Sequence, residues 1–306
     1  MKMQNTSLKT LVLTTCIACA SATVTVAETP REQVKFIENS DGEVRVNIVG
    51  RLRMLSQRIP AAACNLNAGV DPAGSRAVLD SAIAEFDTIL FALQYGDASL
   101  GVMSSETNLR TLRMIEDLRA SYTQMDTTIR ADADPALSDA TIQYVADHNT
   151  EVLDQAKQIV TEISGQYSNP AALLQSDAMA IDIAGRQRML TQMISKNICQ
   201  SQSGINVEES RAALAEAVNL FEVSLNALRS GMVDVGIQPP PTEEISRGLE
   251  IVLFDWSMIR GHIMTALDGG HLDHDSRQEV LSGLDKALAD MNAVVSLYVD
   301  HAHSDL

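Results

Sequence analysis

"GRLRMLSQRIPAAAC" at residues 50–64 and "GRQRMLTQMISKNIC" at residues 185–199 are one cassette written twice. Eight of the fifteen positions are identical without a gap, including the glycine, two arginines, Met-Leu, a glutamine, an isoleucine and the closing cysteine. The same offset of 135 residues places Phe86 on Phe221, Leu90 on Leu225, Ala92 on Ala227, Leu93 on Leu228 and Gly96 on Gly231. An offset that holds over separate segments is the mark of an internal duplication.

Each copy reads as four helices. They are expected at 41–68, 73–95, 105–131 and 136–166, and again at 171–202, 207–230, 242–268 and 274–302. Leu79, Ile83, Phe86, Leu90 and Leu93 follow the three-four rhythm of an amphipathic helix, and no segment keeps the two-residue alternation of a strand. Glycine- and proline-rich breaks separate the helices: "GVDP" and "SGIN", "YGDASLG" and "GIQPPP", "DADP" and "DGGHLD". In "SNP" at 168–170, Asn169 suits an N-cap and Pro170 the first helical position. The expected fold is all-α: two tandem up-down four-helix bundles, 41–167 and 168–306.

Residues 1–27 read as a signal peptide, with Lys2 and Lys9 before the apolar "LVLTTCIACA" and small residues ending at Ala22 or, preferably, Ala27. Lipidation at Cys16 or Cys19 fits less well, because Thr15 precedes one and Cys16 stands where leucine is wanted before the other. Residues 28–40 form a linker. Past Ala27 no apolar run reaches the ~18–20 residues of a membrane span, so the expected location is the periplasm, without direct membrane insertion. Cleavage removes two lysines and no acid, moving the net charge from −17 to −19. Such a field repels nucleic acid and anionic membrane surfaces.

Against that background the cassettes are positive islands. No acid lies between Glu43 and Asp71, where Arg45, Arg51, Arg53 and Arg58 stand, nor between Asp182 and Glu208, where Arg186, Arg188 and Lys196 stand. Arginine's planar fork suits a small oxyanion. The bland alternative is that these arginines form ion pairs with neighbouring helices. On a helix, Arg53 and Cys64 differ by about 20° in azimuth and by about 16 Å along the axis, and Arg188 and Cys199 repeat this, whereas Arg51 and Arg186 point nearly opposite. Packing the two first helices around a pseudo-two-fold would bring Arg53 to Arg188, and Cys64 to Cys199. A Cys64–Cys199 disulfide is the favoured reading in an oxidising compartment, two buried free thiols the other.

"NIVGRLRMLSQR", echoed by "DIAGRQRMLTQM", resembles the N-terminal domain of PilJ-type methyl-accepting chemotaxis transducers and is similar to the sensor domain of NarX-type nitrate/nitrite kinases. The resemblance implies periplasmic four-helix bundles. In the nitrate sensors the arginine of the Gly-x-x-Arg-Met pattern holds nitrate between two first helices. Here that arginine is Arg53, with Gly50 and Met54, and Arg188, with Gly185 and Met189. Trp256 resembles an aromatic position of the family's third helix, with Tyr122 its nearest counterpart in the first copy. This chain departs from the pattern in three ways: both copies share one chain, Arg51 and Arg186 replace a small residue, and Met193 stands where Arg58 does.

The expected function is therefore a soluble periplasmic binding protein for a small oxyanion, nitrate or nitrite by resemblance. Arg53 and Arg188 would be its ligands, with Arg51, Arg186, Gln57 and Gln192 contributing. Its partner would be a membrane sensor kinase, a chemotaxis transducer or a transporter; the alternative is a ligand-free adaptor docking on such ectodomains. No nucleophile with a neighbouring base, phosphate loop or haem motif indicates an enzyme or a cofactor. "DGGHLDHD" at 268–275 holds His271 and His274 but reads as a turn rather than a metal site. Met54, Met189, Met258 and Met264 read as core fillers.

Overall fold

The computed structural model describes residues 40–132, 136–167 and 175–304. The signal peptide expected at 1–27, the linker up to residue 39 and the "SNP" junction lie outside the described residues.

Eight α-helices are described. The first copy holds α1 (Ser40–Asn67), α2 (Pro72–Tyr95), α3 (Leu109–Ala131) and α4 (Asp139–Tyr167). The second holds α5 (Gln175–Gln202), α6 (Val207–Ser230), α7 (Glu243–Leu267) and α8 (His274–Ser304). Among the described residues the only extended pairings are isolated bridges, Asp97 with Val102 and Met232 with Ile237, at matching places in the two copies.

Local chemistry fixes the helix ends. Pro72 opens α2 after Asp71, whose carboxylate accepts from the Gly74 N–H. Gly96 and Gly231 close α2 and α6 at φ 84° and 78°, each amide donating 2.9 Å to Ala92 and Ala227. The third helix begins at Leu109, four residues later than its sequence pattern indicates. Asn108 caps the Arg110 and Thr111 amides, and the Glu106 carboxylate accepts from the Thr107 and Asn108 amides at 2.7 Å, fixing that stretch as a turn.

Within each copy the helices pack as a bundle, α1 on α2 and α4, α3 on α4, then α5 on α6 and α8, α7 on α8. Phe86 stacks on Tyr122 at 4.1 Å and Phe221 meets Trp256 at 4.5 Å, so each copy pairs its repeated phenylalanine with an aromatic of its third helix. The copies join through α1 and α5, which pack on each other as extensively as any pair within a copy. Both helices are therefore central and nearly devoid of a solvent face. Leu52, Leu55 and Ile59 of α1 are buried, as are Leu190 and Ile194 of α5, and so are polar Ser56, Gln57, Thr191 and Gln192. The hydroxyls are satisfied locally: Ser56 donates to the Arg53 carbonyl at 2.8 Å and Thr191 to the Arg188 carbonyl at 2.9 Å.

Pro60 leaves α1 unbroken. Proline lacks an N–H, so the Ser56 carbonyl four residues back loses its helical donor. Asn149 of α4 donates to that carbonyl at 2.7 Å, and its own oxygen accepts from Lys196 of α5 at 2.7 Å. Lys196 occupies the place of Ala61 in the first copy. Burial, with the positive charge of Lys157 adding to it, pushes its ammonium down to about 8.

Cys64 and Cys199 form a disulfide across α1 and α5, with Cα atoms 6.1 Å apart. It closes a loop of 135 residues, and a cross-link of that span contributes roughly 3–5 kcal/mol by restricting the unfolded chain. Replacing both cysteines by serine is expected to lower unfolding free energy by that amount in urea melts. A second measurement concerns Lys196, whose ordinary value of 10.5 drops to about 8 on folding. Between those limits the unfolded chain binds more protons, so the group makes stability rise with pH. Wild type should gain on Lys196→Met by on the order of 2–3 kcal/mol between about pH 7.5 and 10.5, measured by urea melts of both.

Candidate functional site

Gly50 and Gly185 face the same point where α1 packs on α5. A Cβ on Gly185 would lie 3.6 Å from Arg188 Nη2 and 3.8 Å from Arg53 Nη2; a Cβ on Gly50 would lie 3.7 and 3.9 Å from the same two atoms. The two Nη2 atoms are thus no more than 7.4 Å apart, the sum of the first two distances. The arginines that the repeat singles out do converge. They border a cavity of about 380 Å³ between α1, α4, α5 and α8, which Arg186 and Asp182 also line.

Four arginines of the two islands are ion-paired, through three acids. Arg53 donates to Asp182 Oδ1 through Nη1 at 3.3 Å and Nη2 at 3.2 Å, and Arg186 pairs with the other oxygen of Asp182. Arg51 meets Glu85 of α2 at 2.5 Å, and Arg58 meets Asp285 of α8 at 3.0 Å. For these four the ion-pair alternative holds. Arg188 differs: it is 6% exposed, and its hydrogen bonds go to neutral groups, the Asn292 side chain at 3.2 Å and the Gly185 carbonyl at 3.5 Å. Among the described residues no carboxylate lies within 4 Å of it.

The reason is an internal difference between the copies. At the repeat offset Asp182 corresponds to Asn47, which also lines the cavity. Arg53 thus faces an aspartate from the other copy, whereas the asparagine at the equivalent place offers Arg188 no charge. Burial lowers the Arg188 guanidinium to about 10, with the positive charges of Arg51 and Arg53 adding to it against Glu85, so it remains protonated at neutral pH. Arg53 is lowered too, by burial first, with Asp182 opposing. Its Nε is buried without a partner among the described residues.

The remaining expected contributors are set apart. Arg51 opens onto a second cavity of about 510 Å³ that Arg188 also borders, together with Arg58 and Asp285. Gln57 and Gln192 line neither cavity: Gln57 donates to the Ser56 carbonyl at 3.2 Å, and Gln192 reaches Asp285 at 3.5 Å. Met193, at the position of Arg58, packs half-buried against the core. Met258, expected inside, is 67% exposed, because α7 turns that face outward. In "DGGHLDHD" Asp273 accepts from the Ser276 amide at 2.8 Å and so opens α8. Asp182 was legible four residues before Arg186, the spacing of a helical ion pair; Asn292 carried no sequence signal.

Fold and site together define a duplicated helical-bundle domain whose two first helices enclose a basic cleft. Residues 38–161 and again 171–280 match the PilJ family, described as the type IV pili methyl-accepting chemotaxis transducer N-terminal domain, and the chain belongs to that family. Among curated proteins no relative matches the chain. The family's domains are sensory parts of chemotaxis transducers, and no described helix is long and apolar enough to cross a membrane.

An added methyl at residue 185 would meet both arginines at ordinary van der Waals distance, and alanine suits a helix interior better than glycine by roughly 0.5–1 kcal/mol. Gly185→Ala is accordingly expected to match or exceed wild-type stability in calorimetric melts.

Proposed function

We propose that this protein is an exported sensory binding module that holds a planar oxyanion between α1 and α5 and reports its occupancy to a membrane sensor kinase, chemotaxis transducer or transporter. Arg188 and Arg53 grip the anion, and nitrate or nitrite is the small ligand that the resemblance favours. The observation that carries this reading is the buried Arg188 guanidinium bordering a cavity without a carboxylate partner. An unpaired buried charge is costly, and an anion bound there relieves the cost. The repeat contributes a second guanidinium within reach, and paired charge-assisted hydrogen bonds to two planar forks favour a planar acceptor. The periplasmic setting agrees with the family and with the disulfide.

An adaptor role has one observation in its favour. Leu220 and Val223 on α6, and Ile251, Phe254 and Met258 on neighbouring α7, are large apolar side chains left exposed. Binding to a transducer ectodomain through that face does not require the cleft.

Titration calorimetry with nitrate and nitrite tests the main reading. Arg188→Gln should reduce affinity at least tenfold, and Asp182→Asn should raise it severalfold by releasing Arg53 from its carboxylate. Saturating anion at about 100 times Kd should stabilise wild type by about 2.7 kcal/mol. Indifference of wild type and both variants to these anions, with partner capture lost on Phe254→Ser, would favour the adaptor.

A further inference from the structure

The clamp opens onto more space than a four-atom oxyanion fills. The cavity of about 380 Å³ falls in the ~300–1,000 Å³ range of pockets for organic ligands, whereas a water molecule takes only about 30 Å³. Away from the arginines and Asp182 its walls are largely aliphatic: Val46 of α1, Val160 of α4, Ile181 of α5, Val295 and Val299 of α8. Among the described residues no aromatic ring lines it, so a flat heterocycle finds none of them to stack on. Of the polar wall groups, the Thr161 hydroxyl is already engaged, donating to the Lys157 carbonyl at 3.0 Å, and Asn47 and Ser164 complete the lining.

The charge pattern narrows the head group. Arg188 is the buried guanidinium left without a carboxylate, and Arg53 and Arg186 share the single carboxylate of Asp182, so the cavity favours an anionic head group at the two guanidinium groups. A carboxylate is planar and meets a guanidinium through two parallel hydrogen bonds. Resting on the reading that Arg53 and Arg188 hold the anion, we infer that the ligand is an aliphatic monocarboxylate of roughly four to eight carbons. Its carboxylate sits on the two guanidinium groups and its chain lies against the valines and Ile181. A second carboxylate is disfavoured where the chain lies against Val46, Val160, Ile181, Val295 and Val299.

Calorimetry on the full chain with sodium nitrate, acetate, butyrate, hexanoate and octanoate, and with hexan-1-ol, tests this. Affinity should rise about fourfold per added methylene, the equivalent of ~0.8 kcal/mol each, until the chain outgrows the cavity. Hexan-1-ol should bind at least tenfold more weakly than hexanoate, and Arg188→Gln should remove most hexanoate affinity. Val160→Thr should cost hexanoate severalfold more than acetate; if that variant fails to fold, the length series on wild type decides. Nitrate and acetate binding as tightly as hexanoate, all lost in Arg188→Gln, would leave the anion clamp standing and overturn the aliphatic ligand. No binding of any anion would overturn both. Equal binding of hexan-1-ol and hexanoate, insensitive to Arg188→Gln, would reduce the cavity to an apolar hole and overturn the inference as well.

Discussion

Two guanidinium groups of like charge, Arg188 buried and Arg53 partly so, face the same point where α1 meets α5, and the contact between these helices has to hold them there. Arg53 and Arg188 bring their Nη2 atoms to within 7.4 Å of each other beside Gly50 and Gly185, at the contact of the two helices. Mutual repulsion in a partly dehydrated interior would separate the helices if nothing else joined them. Three devices act against it: the aliphatic packing of α1 on α5, the Asp182 carboxylate on Arg53, and the disulfide eleven residues further along each helix. None of the three neutralises Arg188.

The duplicated halves have diverged at the places where charge matters. Asn47 corresponds to Asp182, Arg58 to Met193 and Ala61 to Lys196. The backbone keeps its symmetry even in detail: Asp71 and Asn206 share a left-handed conformation at φ 41° and 43°. Conserved geometry with altered charge is what a fused pair permits, because each half can change without forcing the same change on the other. A dimer of identical chains has no such freedom.

How much was legible follows from what a linear pattern records. The 135-residue offset, the capping glycines and the Phe86 and Phe221 helices revealed the eight-helix duplication, and the cassette itself pointed to the convergence of Arg53 with Arg188. The ion pairs were not legible. Glu85 and Asp285 reach Arg51 and Arg58 from other helices, and the azimuth of one helix against another is not written in either. The two acid-free stretches therefore read as uniformly positive islands, although four of their arginines are ion-paired. The central position of α1 and α5 was hidden for a related reason: helices surrounded by others need no polar stripe, so their sequence gives no direction to solvent. Met258 shows the converse, an apolar residue off the Leu249, Val252, Trp256 and Ile259 stripe of α7 that faces outward with Ile251 and Phe254.

The Cys64–Cys199 bond also limits how the two central helices can move. It fixes one end of the pair at a Cα separation of 6.1 Å, so relative motion of α1 and α5 is a pivot about that end rather than a slide. The guanidinium pair lies about 16 Å from the pivot and the start of α1 about 36 Å from it, at 1.5 Å per residue. A given change of angle between α1 and α5 therefore displaces the far end of the helices about twice as far as the guanidinium pair. The fused pair is a lever, with its fulcrum at the sulfur atoms and its long arm at Ser40 and Gln175.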